Sequence, residues 1–338
     1  MTGRNGKKSL VAGVIGLGSM GINHARVYGE IEGVELAAVA DVSPERRALA
    51  TGGNSAHPYD DYRRMLAEER LDLLSVCVPT LLHHEVTLAA IQRGVAVLVE
   101  KPIAASLEEG RAMAQAARAA GVPLMVGHVE RFNPAVMELK RRLLAGELGR
   151  VYQVYARRTG PFPQRVRDVG VVHDLAPHDI DIISFLLQSK VERVYAETLR
   201  GISTEREDML WGILRFRDGA VGVLDVNWLT PIKVRQLALL GEKGLFQVDY
   251  LSQQITFYAG DRPGQPLSGD GAAKPVQVEK KEPLRLELAA FAAAVRQGEE
   301  PPVTAEDGLA ALEIASLLVE SARTGRAIDV RREGEQGD

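Results

Sequence analysis

A lysine, an aspartate and a histidine are the side chains of this sequence best placed to move protons. Lys101 stands in Glu100-Lys101-Pro102 directly after the apolar run Val95–Val99, and Asp174 and His178 lie further along the chain. A carboxylate can orient an imidazole, and an imidazole or an amine can take a proton from a reacting group. Together with the glycine-rich segment Gly16-Leu-Gly-Ser-Met-Gly21, which can hold a nucleotide, the set predicts proton removal from an alcohol coupled to hydride transfer to a nicotinamide.

The position of Lys101 at the end of a predicted strand favours a role at a ligand. Residues at the carboxyl ends of parallel strands face the crevice in which ligands bind. Pro102 blocks continuation of the strand and fixes the turn that follows. The alternative is a surface lysine in a Lys-Pro turn, and position alone does not separate the two interpretations.

Asp174 and His178 are four residues apart, so a helix would place both on one face. We predict a helix over Leu175–Leu187, with Asp181 continuing that face and Pro177 in the first turn, where a missing amide costs little. In the functional interpretation Asp174 orients or contacts the substrate and His178 accepts the hydroxyl proton. In the alternative, Asp174 caps the helix and His178 is a hydrogen-bonded core residue.

A glycine-rich turn near the start of the chain predicts a dinucleotide site. It follows the strand-like run Leu10–Ile15 and precedes a helix expected from about Ile22. The first glycine makes the turn, the second lets the backbone approach a pyrophosphate, and the third lets helix and strand pack closely. The predicted cofactor contacts in this turn are Gly16, Gly18, Ser19, Met20 and Gly21.

Asp41 follows the second predicted strand, Val34–Ala40, where a carboxylate can accept hydrogen bonds from both ribose hydroxyls. Its charge would repel the extra phosphate of NADP, so NAD is the predicted cofactor. Arg46 and Arg47 could hold that phosphate instead, or could be exposed charges of the next helix. The alternative to a nucleotide site is a glycine-rich turn with Asp41 as a helix cap.

The composition is that of a soluble globular protein rather than a nucleic-acid or membrane protein. The 338 residues carry a net charge of −4, with 46% hydrophobic and 25% charged residues. No stretch reaches 18 apolar residues, so we expect no membrane span. No secretory signal is visible either, so we expect a cytoplasmic location. The single cysteine, Cys77, excludes an internal disulfide and is expected to be a core residue. No metal site is predicted.

The length predicts two domains. Residues 1–127 alternate apolar strands with helices, which indicates an α/β Rossmann domain with a doubly wound parallel sheet. Residues 128–330 contain a series of longer strands without helices between them, which indicates an α+β domain with an open, mostly antiparallel sheet for substrate binding and oligomerisation. Helices over Leu284–Arg296 and Ala305–Arg323 are expected to close this second domain. Residues 331–338 are predicted to be a disordered tail, and Ala259–Lys274 a mobile loop.

Four segments together resemble the glucose–fructose oxidoreductase / inositol dehydrogenase (Gfo/Idh/MocA) family. They are the glycine turn, Pro79-Thr80-Leu-Leu-His83, Glu100-Lys101-Pro102 and the Asp174-x-x-x-His178 helix, and their order matches over nearly the whole chain. The resemblance implies that Lys101 and His178 act at the substrate hydroxyl with Asp174 beside them. It also implies cofactor contacts from a further set of residues, namely Pro79, Thr80, His83, Glu100 and Lys101.

A narrower resemblance is to the UDP-N-acetylglucosamine 3-dehydrogenases. It rests on Gly127-His-Val-Glu-Arg-Phe-Asn-Pro134, Arg158-Thr-Gly-Pro-Phe-Pro and the segment Arg167–Asp181, which departs from that pattern at His173 and Pro177. The resemblance implies a nucleotide-linked sugar as substrate. Within 18 residues the sequence has five arginines: Arg150, Arg157, Arg158, Arg165 and Arg167. Arginine forks suit a diphosphate, although any one of these five could instead be a solvated charge. The substrate contacts that we predict are Lys101, Arg131, Asn133, Arg158, Arg165, Arg167, Asp174 and His178.

Other functions are compatible with the same residues. The substrate could be a free sugar or an inositol, the protein could be a glycosidase that oxidises its sugar transiently with NAD, or it could be a non-catalytic NAD-binding sensor. We also expect a homodimer or homotetramer. The strands Val221–Trp228 and Val234–Leu240 have apolar residues on both faces, and helices of one subunit would cover only one of them.

Overall fold

The structure is a computed structural model that describes residues 9–53, 55–163, 169–202, 206–260 and 273–330. The chain forms two compact units. Unit 1 contains the described residues up to Val129 and the segment Glu282–Leu309. Unit 2 contains the described residues of Glu130–Lys281 and those from Ala310 onward. None of the described helices is both long and apolar enough to cross a membrane.

Within the described residues of unit 1, six parallel strands form a sheet in the order β3-β2-β1-β4-β5-β6. The strands are β1 (Leu10–Ile15), β2 (Val34–Ala40), β3 (His57–Tyr59), β4 (Leu73–Val76), β5 (Ala96–Glu100) and β6 (Leu124–Gly127). Every residue of β4, β5 and β6 is buried, because helices cover both faces of a parallel sheet. The predicted doubly wound sheet is therefore confirmed.

The helices of unit 1 follow the strands that the sequence predicts. They are α1 (Ser19–Tyr28), α2 (Pro44–Thr51), α3 (Tyr62–Glu68), α4 (His83–Ile91) and α5 (Leu107–Ala120), and a short 3-10 helix, Thr80–Leu82, precedes α4. Helix α5 has its predicted bounds, because Ser106 caps its start and Gly121 ends it in the left-handed conformation. Helix α1 begins three residues before the predicted start, because the glycine turn itself contains the first helical turn.

The described residues of unit 2 form a nine-stranded sheet around β7 (Val151–Pro161). Its other strands are β8 (Val191–Leu199), β9 (Met209–Phe216), β10 (Val221–Asn227), β11 (Leu229–Gly241), β12 (Gly244–Asp249), β13 (Gln254–Ala259), β14 (Lys274–Val276) and β15 (Ile328–Asp329). Strand β7 pairs in parallel with β10 and antiparallel with β11, and the remaining pairs are antiparallel. The predicted mostly antiparallel sheet is confirmed.

Helices α6 (Pro134–Leu144) and α7 (Val171–Leu187) contribute to the core on one face of this sheet. Val154, Ala156 and Leu224 project from the strands into that core. On the opposite face, Trp211 and Ile213 of β9 remain 49% and 47% exposed. The sheet therefore has one buried and one open face, as its alternating sequence predicts.

Helix α8 (Pro283–Gln297) belongs to unit 1, which differs from the predicted assignment of the last two helices to the second domain. Ion pairs join Arg26 to Glu282 and Arg285 to Glu30, and Phe291 of α8 is fully buried. The chain thus returns to its first unit, and the division at Leu309 falls within α9 (Ala305–Thr324). An amphipathic pattern shows that a helix buries one face but not which part of the chain covers it.

Several predictions fall on residues that the structure does not describe. Residues 331–338, predicted as a tail, lie outside the described residues, as do residues 261–272 of the predicted loop. Two of the predicted substrate contacts, Arg165 and Arg167, also lie outside them.

Candidate active site

The three glycines of the turn after β1 each meet a distinct steric constraint. Gly16 has φ +86°, and a Cβ there would lie 2.6 Å from the backbone carbonyl of Cys77. A Cβ on Gly21 would lie 1.7 Å from the carbonyl oxygen of Gly16, so α1 can pack this closely only with glycine there. A Cβ on Gly18 would meet nothing within 4 Å, so the turn is open on that side. This geometry fits a bound pyrophosphate.

Gly18 is also the N-cap residue of α1, and no described side chain caps the helix there. The first turn contains Ser19, which is exposed, and Met20, which is half-buried. An uncapped helix start combines amide donors with the positive end of the helix dipole and therefore suits a phosphate. These two predicted contacts thus lie where a cofactor phosphate would be recognised.

Asp41 holds the glycine turn to the end of β2. Its Oδ2 accepts a hydrogen bond from the Leu17 amide at 2.6 Å, and its Oδ1 accepts one from the Ser43 amide at 2.8 Å. The Asp41 side chain is only 7% exposed, whereas Arg46, 3.9 Å away, is 56% exposed. The Asp41 carboxylate is therefore fixed by the backbone, and any ribose hydroxyl would share oxygens that already have donors.

Arg47 does not face outward as a phosphate-binding side chain would. Its Nη1 donates to the carbonyl oxygens of Asp41 at 2.6 Å and Val42 at 3.2 Å. Arg47 therefore stabilises the turn before α2. Of the two arginines considered for an NADP phosphate, only Arg46 has an exposed guanidinium beside Asp41.

The predicted cofactor segment after β4 forms the turn and 3-10 helix that lead into α4. Pro79 is exposed and Thr80 is half-buried, but His83 is 1% exposed. The Nδ1 and Nε2 of His83 lie 2.9 Å and 3.0 Å from the carbonyl oxygens of Pro102 and Val78. Burial lowers the pKa of His83. The imidazole joins the turns after β4 and β5, so it positions these turns rather than presenting a polar group to a cofactor.

Lys101 follows β5 and is half-buried, and the Lys101–Pro102 peptide is cis. The preceding residue, Glu100, is 8% exposed and accepts from the Lys101 amide at 3.3 Å through Oε2. Its Oε1 lies 3.1 Å from Nε2 of His24, a fully buried histidine of α1. The sequence analysis missed His24, because a single histidine on an apolar helix face carries no spacing signal.

Helix α7 begins at Val171, after the N-cap residue Gly170, rather than at Leu175. Asp174 is consequently inside the helix and cannot be its N-cap, and Pro177 lies beyond the first turn. The Val171 amide donates to the Glu207 carbonyl at 3.0 Å, which fixes the earlier start. Asp174 is 8% exposed and His178 is half-buried. Their four-residue spacing on one helix places them on one face, as predicted.

Of the arginines predicted to hold a diphosphate, Arg158 lies within the described residues and is bonded to carboxylates of unit 2. Arg158 is 3% exposed, and its Nε and Nη2 donate to Asp179 at 2.8 Å and 3.0 Å. Its Nη1 donates to Glu130 at 3.1 Å. Burial alone would lower the pKa of Arg158, but the charges of Asp179 and Glu130 raise it above its ordinary value. A diphosphate would have to displace both carboxylates, so the predicted substrate contact of Arg158 is not retained.

Arg131 and Asn133 have structural partners as well. Nε and Nη2 of Arg131 donate to Asp181 at 2.8 Å and 2.5 Å. The Oδ1 of Asn133 caps α6 by accepting from the Ala135 amide at 3.1 Å. These contacts fix the segment that leads into α6. We therefore retain neither side chain as a substrate contact. Arg131, Asn133 and Arg158 of the narrower resemblance therefore make contacts that stabilise unit 2.

Arg235 is a cation that the sequence analysis did not select. It lies opposite Arg158 in the β7–β11 register, and its Nη1 donates to the carbonyl oxygens of Thr159 at 2.6 Å and Val234 at 2.7 Å. No carboxylate among the described residues lies within 4.0 Å of it. Burial and the neighbouring Arg158 lower the pKa of Arg235 to about 10. Its guanidinium is therefore fixed and incompletely neutralised.

The structure groups the predicted residues by unit. Unit 1 contains the glycine turn, Asp41, the Pro79–His83 segment and Lys101, and unit 2 contains Asp174 and His178. Among the described residues, no group of three His, Cys, Asp or Glu side chains could hold a metal ion. The donors in unit 1 suit a dinucleotide, and the pair in unit 2 suits proton transfer.

Comparisons with known proteins agree across both units. A family model described as "Oxidoreductase family, NAD-binding Rossmann fold" (GFO_IDH_MocA) matches residues 10–128. The model of the GFO/IDH/MocA C-terminal domain matches residues 136–247. The chain is 30% identical over 286 residues to a UDP-N-acetylglucosamine 3-dehydrogenase of Acidithiobacillus ferrooxidans, an alignment that covers 84% of this chain and 88% of the relative.

Two further comparisons widen the range of substrates. A scyllo-inositol 2-dehydrogenase (NAD(+)) of Bacillus subtilis is 29% identical over 342 residues, covering 94% of this chain and 96% of the relative. The solved structure of the WlbA dehydrogenase from Bordetella pertussis in complex with NADH and UDP-GlcNAcA is 27% identical. It has a TM-score of 0.84 and covers 96% of this chain and 99% of that chain.

Two carboxylates of unit 2 should differ sharply in their effect on stability. Asp179→Ala leaves Arg158 buried beside Glu130 alone, and loss of a buried partner costs about 3–5 kcal/mol. Asp225→Ala removes the partner of Arg157, which is 44% exposed, and should cost at most about 1 kcal/mol. Urea denaturation gives the free energy of unfolding of the native protein and of both variants. Equal losses of unfolding free energy in the two variants would mean that the buried Arg158–Asp179 pair stabilises the fold no more than the exposed Arg157–Asp225 pair.

Proposed function

The chain belongs to the Gfo/Idh/MocA oxidoreductase family and is a dehydrogenase that acts on a CH–OH group of a sugar or polyol with a nicotinamide cofactor, and from this premise we propose its substrate. The proposed substrate is UDP-N-acetylglucosamine or a related UDP-linked amino sugar, oxidised to a ketone at its 3-hydroxyl. The proposed cofactor is NAD.

The observation that carries this proposal is the likeness to the UDP-N-acetylglucosamine 3-dehydrogenase, which extends over 84% of the chain. The WlbA dehydrogenase, whose solved complex contains NADH and UDP-GlcNAcA, supports the same substrate class. A free sugar or inositol is the second candidate, because the scyllo-inositol dehydrogenase is 29% identical over 94% of the chain.

Arg235 adds physical support for an anionic substrate. Nη1 is fixed by two carbonyl oxygens, and the rest of the guanidinium fork can still donate. Asp174, Asp179 and Glu130 act on it from beyond ion-pair distance, but burial and Arg158 outweigh them and lower its pKa. A substrate phosphate would supply the missing counter-charge through charge-assisted hydrogen bonds. We therefore propose Arg235 in place of Arg131 and Arg158 as a diphosphate contact, while Arg165 and Arg167 stay predictions.

The proposed oxidation removes two hydrogens from the alcohol: the hydrogen on carbon leaves as a hydride, and the hydroxyl hydrogen leaves as a proton. When bound, the oxidised nicotinamide supplies the hydride acceptor. His178 takes the hydroxyl proton as general base, Asp174 orients the imidazole or the substrate, and Lys101 contributes a second proton-exchanging group at the hydroxyl. The roles of Lys101 and His178 rest on the family resemblance and on the geometry of each residue within its own unit.

A substrate panel tests the proposal directly. With NAD present, UDP-N-acetylglucosamine should give NADH at a kcat/KM at least about tenfold above that of N-acetylglucosamine or inositols, because the diphosphate adds binding energy. Absorbance of NADH measures the rates. Faster oxidation of an unphosphorylated polyol would contradict the proposed substrate and favour the second candidate.

Variants should separate proton chemistry from substrate binding. Lys101→Ala and His178→Ala should each lower kcat by about two to four orders of magnitude, because each removes an acid–base group. Arg235→Gln should instead raise KM for the UDP-sugar more than it lowers kcat, because the diphosphate is remote from the reacting carbon. Arg157→Gln, on the open face of the sheet, is the matched control. Normal turnover by His178→Ala would contradict its proposed role.

Asp41 should make NAD the preferred cofactor. A buried carboxylate at the end of β2 disfavours an added phosphate, so the Kd for NADP should exceed that for NAD by about tenfold or more. Asp41→Ser should narrow this difference, and Arg46→Ala in that background should restore part of it. Isothermal titration calorimetry measures the Kd of each variant for NAD and for NADP. Tighter binding of NADP to the unaltered protein would show that Arg46 dominates the pocket.

The open face of the unit 2 sheet supports the proposal of a homodimer or homotetramer. The register places Tyr155, Val223, Ile213 and Tyr195 side by side on β7, β10, β9 and β8. They form a continuous row of apolar and aromatic side chains, and such a row on a monomer marks an interaction surface.

Disruption of this row should disrupt the assembly. Ile213→Glu places a charge within the row and should shift the sedimenting mass towards the 36.7 kDa of one chain. Ile232→Glu, at a residue that is 66% exposed outside the row, should leave the mass unchanged. Sedimentation equilibrium measures both. A native protein that sediments only as one chain at micromolar concentration would contradict the proposed oligomer.

A further inference from the structure

A buried hydrogen-bonded chain in unit 1 leads to the residue before Lys101. The hydroxyl of Tyr28 lies 2.9 Å from Oγ of Ser75, and the same Oγ lies 2.9 Å from Nδ1 of His24. Nε2 of His24 lies 3.1 Å from Oε1 of Glu100. Tyr28, Ser75 and His24 are fully buried. Three elements, α1, β4 and β5, therefore meet through polar atoms of which only those of Glu100 retain a small exposed fraction.

The positions of the protons in this chain follow from the available donors. If Glu100 is ionised, its carboxylate can only accept, so Nε2 of His24 is the donor to it. In a neutral imidazole Nδ1 is then an acceptor and takes the Ser75 hydroxyl proton, and the Tyr28 hydroxyl donates to Ser75. Every buried donor in the chain thereby has an acceptor, which is the arrangement that burial favours.

The groups around Glu100 favour its ionised form. Burial alone would raise the pKa of Glu100, but the hydrogen bond from His24 and the positive charge of Lys101 lower it below its ordinary value. Two further titratable groups, the thiol of Cys77 and the carboxyl of Glu287, lie on other elements. Cys77 follows β4 and has a pKa raised by burial and by the charges of Glu100 and Glu287. Glu287, from α8, is fully buried.

We propose that His24 is a positioning residue, whose hydrogen bond keeps Glu100 ionised and thereby fixes the charge and the backbone beside Lys101. The carboxylate acts on Lys101 in two ways: Oε2 accepts from the Lys101 amide, and the negative charge faces the lysine. A protonated carboxyl would be a weaker acceptor and would carry no charge. The inference rests on the proposed catalytic role of Lys101.

The proposal has a specific consequence for the pH dependence of turnover. His24→Leu removes the donor while Glu100 remains buried, so the pKa of Glu100 should rise by about one to three pH units. An enzyme that requires an ionised carboxylate loses activity as the pH falls through the pKa of that carboxylate. In the native enzyme the general base His178 sets the acidic limb of the kcat/KM profile. The raised ionisation of Glu100 should add a second titrating group to that limb in His24→Leu, so the limb should become steeper and move upward. His24→Gln can still donate to Glu100 and accept from Ser75, so its profile should stay close to that of the native enzyme.

Two controls separate positioning from a general loss of stability. Tyr28→Phe removes the far hydroxyl of the chain and leaves His24 and Glu100 intact, so it should lower the melting temperature without moving the pH profile. Glu100→Gln in the His24→Leu background removes the second titrating group, so the shift of the limb should disappear. A His24→Leu enzyme with a lower melting temperature but an unmoved acidic limb would overturn the proposal.

A measurement without substrate tests the ionisation independently of the proposed function. The infrared difference spectrum between neutral and mildly acidic pH is recorded for each variant, and the native spectrum is subtracted so that the other carboxyl groups cancel. The C=O stretching band of one additional protonated carboxyl should remain for His24→Leu and should be absent for His24→Gln and for the Glu100→Gln double variant. If the enzyme did not oxidise the proposed sugar, the infrared result would be unchanged, because this measurement uses no substrate. No difference in the carboxyl band between His24→Leu and the native protein would overturn the role of His24.

Discussion

The close packing of α1 against the turn after β1 is the constraint on which the rest of unit 1 depends. A side-chain carbon on Gly21 would stand 1.7 Å from the Gly16 carbonyl oxygen, so the helix can lie there only because residue 21 is glycine. The same approach brings His24 of α1 to Ser75 and Glu100, and so connects the cofactor turn to the turn that carries Lys101. One steric requirement therefore fixes both the glycine turn that we propose to hold the cofactor phosphates and the polar contacts of Glu100, the residue before Lys101.

Unit 2 depends on a different constraint, the burial of charges within a twisted sheet. Arg157 and Arg158 are neighbours in sequence but lie on opposite faces of β7, because side chains alternate along a strand. Arg158 enters the core and requires the carboxylates of Asp179 and Glu130, whereas Arg157 stays near solvent beside Asp225. Their identical chemistry thus has different consequences, and burial decides which arginine is part of the framework.

The sequence predicts those features that local pattern determines. Buried apolar runs predict the parallel strands, and the glycine spacing predicts the turn whose steric demands the structure confirms. It does not predict which arginine finds a carboxylate, because Asp179 and Asp181 reach Arg158 and Arg131 only after α7 has packed on the sheet. The earlier start of α7 has a similar cause, since the Glu207 carbonyl that accepts from Val171 comes from a distant loop. Long-range partners of this kind leave no signal in the spacing of one sequence.

The central claim is that a hydride passes from a sugar carbon to the nicotinamide while residues of the chain accept the proton. The most direct test uses UDP-N-acetylglucosamine that carries deuterium at C3, with unlabelled NAD and the native enzyme. Nuclear magnetic resonance and mass spectrometry then locate the deuterium in the product. The account predicts one deuterium at C4 of the reduced nicotinamide for each ketone formed. Deuterium released to water, or retained on the sugar while no reduced cofactor appears, would contradict it.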